Sequence, residues 1–201
     1  MFSPEERDVL YETFAPGPND EVSFGLTEQG IWHPTPLDVL LPALEAMARE
    51  GWLGSAGRAL TPLDAGSVDG RVVGALAIIS GLSADTRVLG LESTATLATQ
   101  SRERLERMAP SRRAQITQGD FLDMASYGAL GIAPSDVDVF LNYPDGNEQA
   151  LGRFVLQQAP DATLLVLSPD RRLALSGLAL LGRLEIASGG PGWTAFRFAA
   201  P

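Results

Sequence analysis

Apolar residues along this chain fall into two alternating patterns. Short continuous runs bounded by Gly, Asp or Asn suit strands buried on both faces. Longer stretches with apolar residues three and four apart suit helices with one buried stripe. Helices are predicted over Glu5–Phe14 and Leu37–Glu50, the second carrying Leu37, Leu40, Leu41, Leu44 and Met47 at helical spacing and stopping at Gly51. Between them, Ala15-Pro16-Gly17-Pro18-Asn19-Asp20 breaks the pattern, and Trp32-His33-Pro34-Thr35-Pro36 is rigid and extended. Beyond Gly51, predicted strands over Ala59–Leu63, Arg87–Leu91, Ala114–Thr117, Val137–Leu141 and Thr163–Leu167 alternate with helices over Arg71–Ser80, Ser93–Met108 and Glu148–Gln158. Pro62 fits poorly in the first of these strands.

This rhythm predicts an α/β chain, a three-layer sandwich with helices on both faces of a mainly parallel sheet. The last stretch departs from it. Leu184–Ala187 and Trp193–Phe198 read as two strands joined by Ser188-Gly189-Gly190-Pro191-Gly192, an antiparallel hairpin that brings the sheet to seven strands. Residues 1–50 are expected to form an N-terminal helical lid over a core of residues 51–201, within a single domain overall.

Composition narrows the partners. A length of 201 residues with 45% hydrophobic and 20% charged residues supports one globular domain with a real core. The net charge of −10, from 15 basic and 25 acidic residues, disfavours a nucleic-acid partner, because phosphate affinity rests on clustered cations. With no cysteine, disulfides, thiolate metal sites and a Cys nucleophile are excluded, and no metal is expected. The opening Met1–Glu6 lacks a basic region followed by an apolar core, and no apolar stretch reaches bilayer length. A cytoplasmic protein without a membrane partner is expected.

The chemistry concentrates at predicted strand ends. Asp64-Ala65-Gly66-Ser67-Val68-Asp69-Gly70-Arg71 is a Gly-rich turn between a strand and a helix, where backbone can approach a nucleotide-like ligand closely. Glu92 ends the second strand of the βαβ series, about 20 residues beyond this turn, where a carboxylate can accept the hydroxyls of a ribose. Gly119-Asp120-Phe121-Leu122-Asp123 follows the third, and Asn142-Tyr143-Pro144-Asp145 the fourth. His33 is the only histidine and has the proton affinity of a base near neutral pH. Each element alone has a plain structural reading as a strand-end turn or a solvated carboxylate.

Taken in order, the four strand-end elements resemble the motifs of class I S-adenosylmethionine (SAM) dependent methyltransferases, over roughly Trp32 to Pro169. A parallel sheet closing in a hairpin is the fold this resemblance implies. It also implies that SAM is held by Thr35, Asp64, Gly66, Ser67, Gly70, Glu92, Asp120, Phe121 and Asn142. Asn142, Tyr143, Asp145 and His33 are then the catalytic candidates. One position departs from the family: Val68 stands where the middle glycine of the turn is expected. Asn142-Tyr143-Pro144-Asp145 only loosely resembles the Asn-Pro-Pro-Tyr signature of amino-group methylating enzymes. Asp69-Gly70-Arg71 and the Pro34-Thr35-Pro36 segment look most like the lysine-methylating subgroup.

The expected activity is therefore methyl transfer to a small molecule or a protein lysine, with a homodimer possible. A non-catalytic SAM-fold scaffold is the alternative that Val68 supports. A nicotinamide oxidoreductase fits worse, because the turn lacks two of the three glycines of the dinucleotide fingerprint.

Overall fold

A computed structural model describes the chain except residues 16–24, 28–29, 33, 55–57, 80–81, 109–112, 144 and 187–191. Nine strands and six α-helices occur among the described residues. Five strands run parallel in the order β5 (Ala114–Gln118), β4 (Val88–Glu92), β3 (Pro62–Ala65), β6 (Val139–Asn142), β7 (Thr163–Ser168). The sheet continues with β9 (Trp193–Ala199), antiparallel to β7, and ends with β8 (Ala179–Ile186), antiparallel to β9. The seven-stranded sheet with a terminal hairpin is thus the one predicted. In addition β1 (Gly25–Thr27) and β2 (Gly30–Trp32) form a small antiparallel pair that the sequence pattern did not disclose.

Helices cover both faces. On one, α1 (Pro4–Phe14), α2 (Leu37–Arg49) and α3 (Arg71–Ile78) bury Phe14, Leu41, Leu44 and Leu76 against Val139, Leu141 and Leu165, with α4 (Ala95–Arg107) alongside. On the other, α5 (Met124–Ala129) and α6 (Glu148–Gln158) bury Tyr127, Leu151 and Val155 against Leu63, Leu89, Phe140 and Leu164. The central strands β3, β4 and β6 are buried at every position, as parallel strands between two helical layers must be. Residues 1–50 contain α1 and α2, both built into the first core layer; α2 packs on β8, β9 and α3.

Strand boundaries differ from the predicted ones: β8 begins at Ala179, five residues before the predicted Leu184, and the parallel strands run further toward their carboxyl ends. β3 begins at Pro62, so it contains Asp64; β4 extends to Glu92; β6 extends to Asn142. A proline is tolerated at a strand's first residue, where its missing N–H breaks no ladder bond. Ladder bonds are made by backbone, so a polar side chain at the end of an apolar run does not stop pairing. Gly90 lies opposite Asp64, and Val166 opposite Asn142.

Strand order reverses between β3 and its two neighbours. Chain continuing from β3 goes to β4 on one side, whereas β6 returns to its other side. In open parallel sheets this reversal opens a crevice beyond the carboxyl ends of the strands.

Candidate functional site

At the carboxyl end of β3 the chain must turn into α3 within the residues Gly66–Gly70. Gly66 and Gly70 both take left-handed backbone conformations, each with φ of 83°. Val68 does too: its φ is 47°, making it the only non-glycine residue with positive φ among the described residues. A β-branched side chain disfavours that region strongly. What holds it there is visible in the hydrogen bonds. The Val68 N–H donates to Glu92 Oε2 at 2.8 Å, and its carbonyl accepts from the Ser101 hydroxyl at 2.7 Å. The Gly66 and Ser67 N–H groups donate to the Leu91 carbonyl at 3.0 and 2.9 Å, pinning the turn to β4.

Glu92 therefore does more than end a strand. Its second oxygen, Oε1, accepts from the Thr94 N–H at 2.8 Å, so the carboxylate spans both turns. Burial raises its proton affinity, and the two backbone N–H donors act against that rise. Each oxygen retains lone-pair capacity for a further donor.

Asp64 is the most unusual group here. It is 4% exposed, its Oδ2 has no hydrogen-bond partner, and burial raises its pKa well above 3.8, with Glu92 and Asp69 adding repulsion. Ser67 Oγ and Asn142 Oδ1 are also buried without partners, while Asn142 Nδ2 donates to the Ala65 carbonyl at 3.2 Å. Two of these unpartnered atoms, Asp64 Oδ2 and Asn142 Oδ1, belong to residues that line one strand-end crevice, where a polar ligand can satisfy them. Thr35, Asp64, Asn142 and Tyr143 line one cavity together, closed underneath by Leu40, Leu44 and Met47 of α2.

The other half of the crevice lies across Gly66. A side-chain carbon at Gly66 would stand 3.7 Å from Asp145 Oδ2 and 3.8 Å from Phe121 Cε1, so the loops after β5 and β6 meet over this glycine. Asp120 closes its own turn by accepting the Leu122 N–H at 2.8 Å, and the Tyr127 hydroxyl donates to the Phe121 carbonyl at 2.8 Å. Asp145 accepts the Asn147 N–H at 2.8 Å, and burial raises its pKa. The Tyr143 ring lies 5.2 Å from that of Trp193, and burial pushes its hydroxyl up to about 12. The structure so brings together Thr35, Asp64, Gly66, Ser67, Gly70, Glu92, Phe121, Asn142, Tyr143 and Asp145, with Asp120 beside Phe121. His33 lies outside the described residues.

Several participants are absent from the candidates that the sequence supplies. Asp69 is buried and takes three hydrogen bonds from the Arg71 side chain at 2.6–3.0 Å, with Arg104 at 3.4 Å. Arg71 also donates to the Thr35 carbonyl at 2.9 Å and sits over the Phe14 ring. Asp69 and Arg71 stand in the Gly-rich turn, and their spacing was the available signal. Arg104 and Trp193 carried none, since both come from distant sequence. A second cavity, lined by Ala77, Ile78, Leu105 and Met108, lies between α3, α4 and the start of β5, at the opposite end of the strands.

No protein-family model matches this chain, and no curated protein matches it. Solved structures do. An RNA methyltransferase from Salinibacter ruber, in complex with S-adenosyl-L-homocysteine, superposes with a TM-score of 0.56 at 20% identity, covering 84% of this chain and 94% of that one. The rRNA methyltransferase AviRa from Streptomyces viridochromogenes gives 0.60 at 17% identity, covering 84% and 87%. A putative O-methyltransferase from Klebsiella pneumoniae gives 0.58 at 20% identity, covering 100% and 92%. The chain has the Rossmann-like fold of these SAM-dependent methyltransferases.

One expectation is overturned by these structures. The acid excess disfavours a nucleic-acid partner when only composition is considered, yet two of these similar structures are RNA methyltransferases. Net charge is an average over the surface, whereas phosphate binding depends on where a few cations stand.

Proposed function

We propose that this chain, which has the fold shared by SAM-dependent methyltransferases, is itself such an enzyme. The observation that carries the reading is the buried, unpartnered Asp64 carboxylate at the switch point of the sheet, in one cavity with Asn142, whose Oδ1 is also unpartnered. The residues present fit the group. A cationic amino group at Asp64 offsets the repulsion from Glu92 and Asp69. Glu92 has spare acceptor capacity for a ribose diol, Asp120 serves an adenine amino group, and Phe121 packs the ring. Gly66 leaves the room a side chain would fill. Thr35 closes the crevice from the N-terminal side.

When bound, SAM supplies a methyl group already activated by a sulfonium, which leaves as a neutral thioether. The protein's work is then positioning and exclusion of water. Asn142, fixed through Ala65, and Tyr143 hold the acceptor beyond the end of β6. Asp145 faces the Gly66 turn and is the group placed to take the acceptor's proton. Its raised pKa makes it a better base than an exposed aspartate. The Tyr143 hydroxyl, pushed up to about 12, stays protonated and donates.

For the acceptor, RNA is the class favoured by the fold's company, ahead of a protein lysine or a small molecule.

Isothermal titration with S-adenosylhomocysteine tests the reading. Binding with release of heat and a raised melting temperature is expected, and Asp64→Ala should lower the affinity about tenfold or more. No heat and no thermal shift would leave the scaffold reading in its place.

A further inference from the structure

We propose that the free edge of β8 pairs antiparallel with β8 of a second copy of this chain, about a two-fold axis at Leu184, joining two seven-stranded sheets into one. The inference concerns the end of the sheet, not the crevice, and stands apart from the methyltransferase reading.

β8 ends the sheet and, among the described residues, pairs with β9 alone. On its outer side a row of backbone N–H and C=O groups has no ladder partner, a template for another strand. At eight residues it is also the longest strand described. Long edges are usually blunted by proline, by repelling charge or by a bulge. β8 has no proline, and its one irregularity falls between Leu180 and Gly182, so Gly182–Ile186 pairs regularly with β9. Leu180 and Leu181, 52% and 54% exposed, leave two large apolar side chains to solvent on the same strand.

The regular segment is complementary to itself. Its register with β9 puts Gly182, Leu184 and Ile186 on the α2 face of the hairpin, where the Trp52 ring fills the space over Gly182. Arg183 and Glu185 lie on the other face, paired with each other, and Arg171 stands 3.8 Å from the same carboxylate. A two-fold axis at Leu184 sets residue 183 against residue 185 of the copy, and 182 against 186. Leu184 then meets Leu184, Ile186 meets Gly182 beside Trp52, and each Arg183 meets a Glu185. Every cross-strand pair is favourable. Moving the axis by one residue brings Arg183 onto Arg183 or Glu185 onto Glu185. Moving it to Gly182 leaves the two charges opposite Leu181 and Ala179. Charge therefore selects one register. It also selects the occupant, because a cation and an anion two residues apart are complementary to their own order read backwards, which a second copy supplies by symmetry.

Sedimentation velocity with the full chain over a concentration series tests this. A reversible dimer is expected with a Kd on the order of 10 µM, since one strand edge is a small interface. Arg183→Glu and Glu185→Arg, each alone, set like charges opposite one another and weaken dimerisation about tenfold or more. Both side chains are about half exposed, so neither change unfolds the chain, which thermal melting checks. An equimolar mixture of the two variants associates again, because each like pair becomes an opposite one. The double variant Arg183→Glu, Glu185→Arg dimerises as the native chain does. A native chain that stays monomeric up to about 1 mM leaves the edge to a different protein and overturns the proposal. A dimer that both single variants retain places the contact elsewhere and also overturns it. So does a mixture of the two variants that stays monomeric.

Discussion

Val68 concentrates the residue-scale physics of this protein. It occupies a left-handed conformation that costs a non-glycine residue about 1–2 kcal/mol, and Glu92 and Ser101 hold it there. The valine is therefore no sign that the turn has a different shape; the turn keeps the glycine conformation with a residue that resists it. Val68→Gly is expected to raise stability by about 0.5–1 kcal/mol, the relieved strain less the entropy glycine adds to the unfolded chain, and to tighten S-adenosylhomocysteine binding. Urea denaturation and titration measure the two effects. Glu92→Gln should cost less stability in the Val68→Gly background than in the native one, because a glycine needs no clamp. A cycle with equal costs in both backgrounds would show that Glu92 does not act through Val68.

Among elements, the turn, α1, α4 and the Pro34–Pro36 segment are joined through the largely buried Arg71–Asp69 pair. Arg71 bonds Asp69 and the Thr35 carbonyl and covers Phe14, while Arg104 of α4 reaches the same carboxylate. Removing one member of a buried pair leaves the other without compensation. Arg71→Met is expected to destabilise the chain by about 3 kcal/mol in urea and to weaken cofactor binding by loosening Thr35. A loss below about 1 kcal/mol would mean that the N-terminal segment is held by its apolar contacts alone.

For the whole molecule, 25 acidic residues against 15 basic ones make repulsion grow as pH rises. Buried Asp64 adds to this. Its folded pKa lies above 3.8, so the folded state binds the proton more tightly than the unfolded chain. The stability it contributes is present below 3.8 and is lost as pH rises through the folded value. Melting temperature should therefore fall over that range in the native protein and fall less in Asp64→Asn, which keeps the side chain's shape without its charge. Parallel profiles would show that Asp64 is ionised at no cost. S-adenosylhomocysteine, by placing an ammonium beside Asp64, should reduce the native protein's fall. No helix among the described residues is long and apolar enough to cross a membrane.

Hydrophobic periodicity alone determined the order of elements, the mainly parallel sheet and its closing hairpin, because burial on one or both faces writes itself into local sequence. The polar residues Asp64, Glu92 and Asn142 stood out because each follows an apolar run, and Asp120 because it follows Gly119 in a turn. The carboxyl ends of the parallel strands and the start of β8 were placed short, since side-chain polarity marks where burial changes and not where backbone pairing stops. β1, β2 and α5 are too brief to carry a period. Only tertiary structure decided the rest: that Val68 is left-handed, that Arg71 and Arg104 share Asp69, and that Trp193 meets Tyr143. These depend on strands and helices far apart in sequence coming into register, and such contacts leave no local pattern to read. The Gly-rich turn was visible in the chain; the clamp that lets a valine occupy it was not.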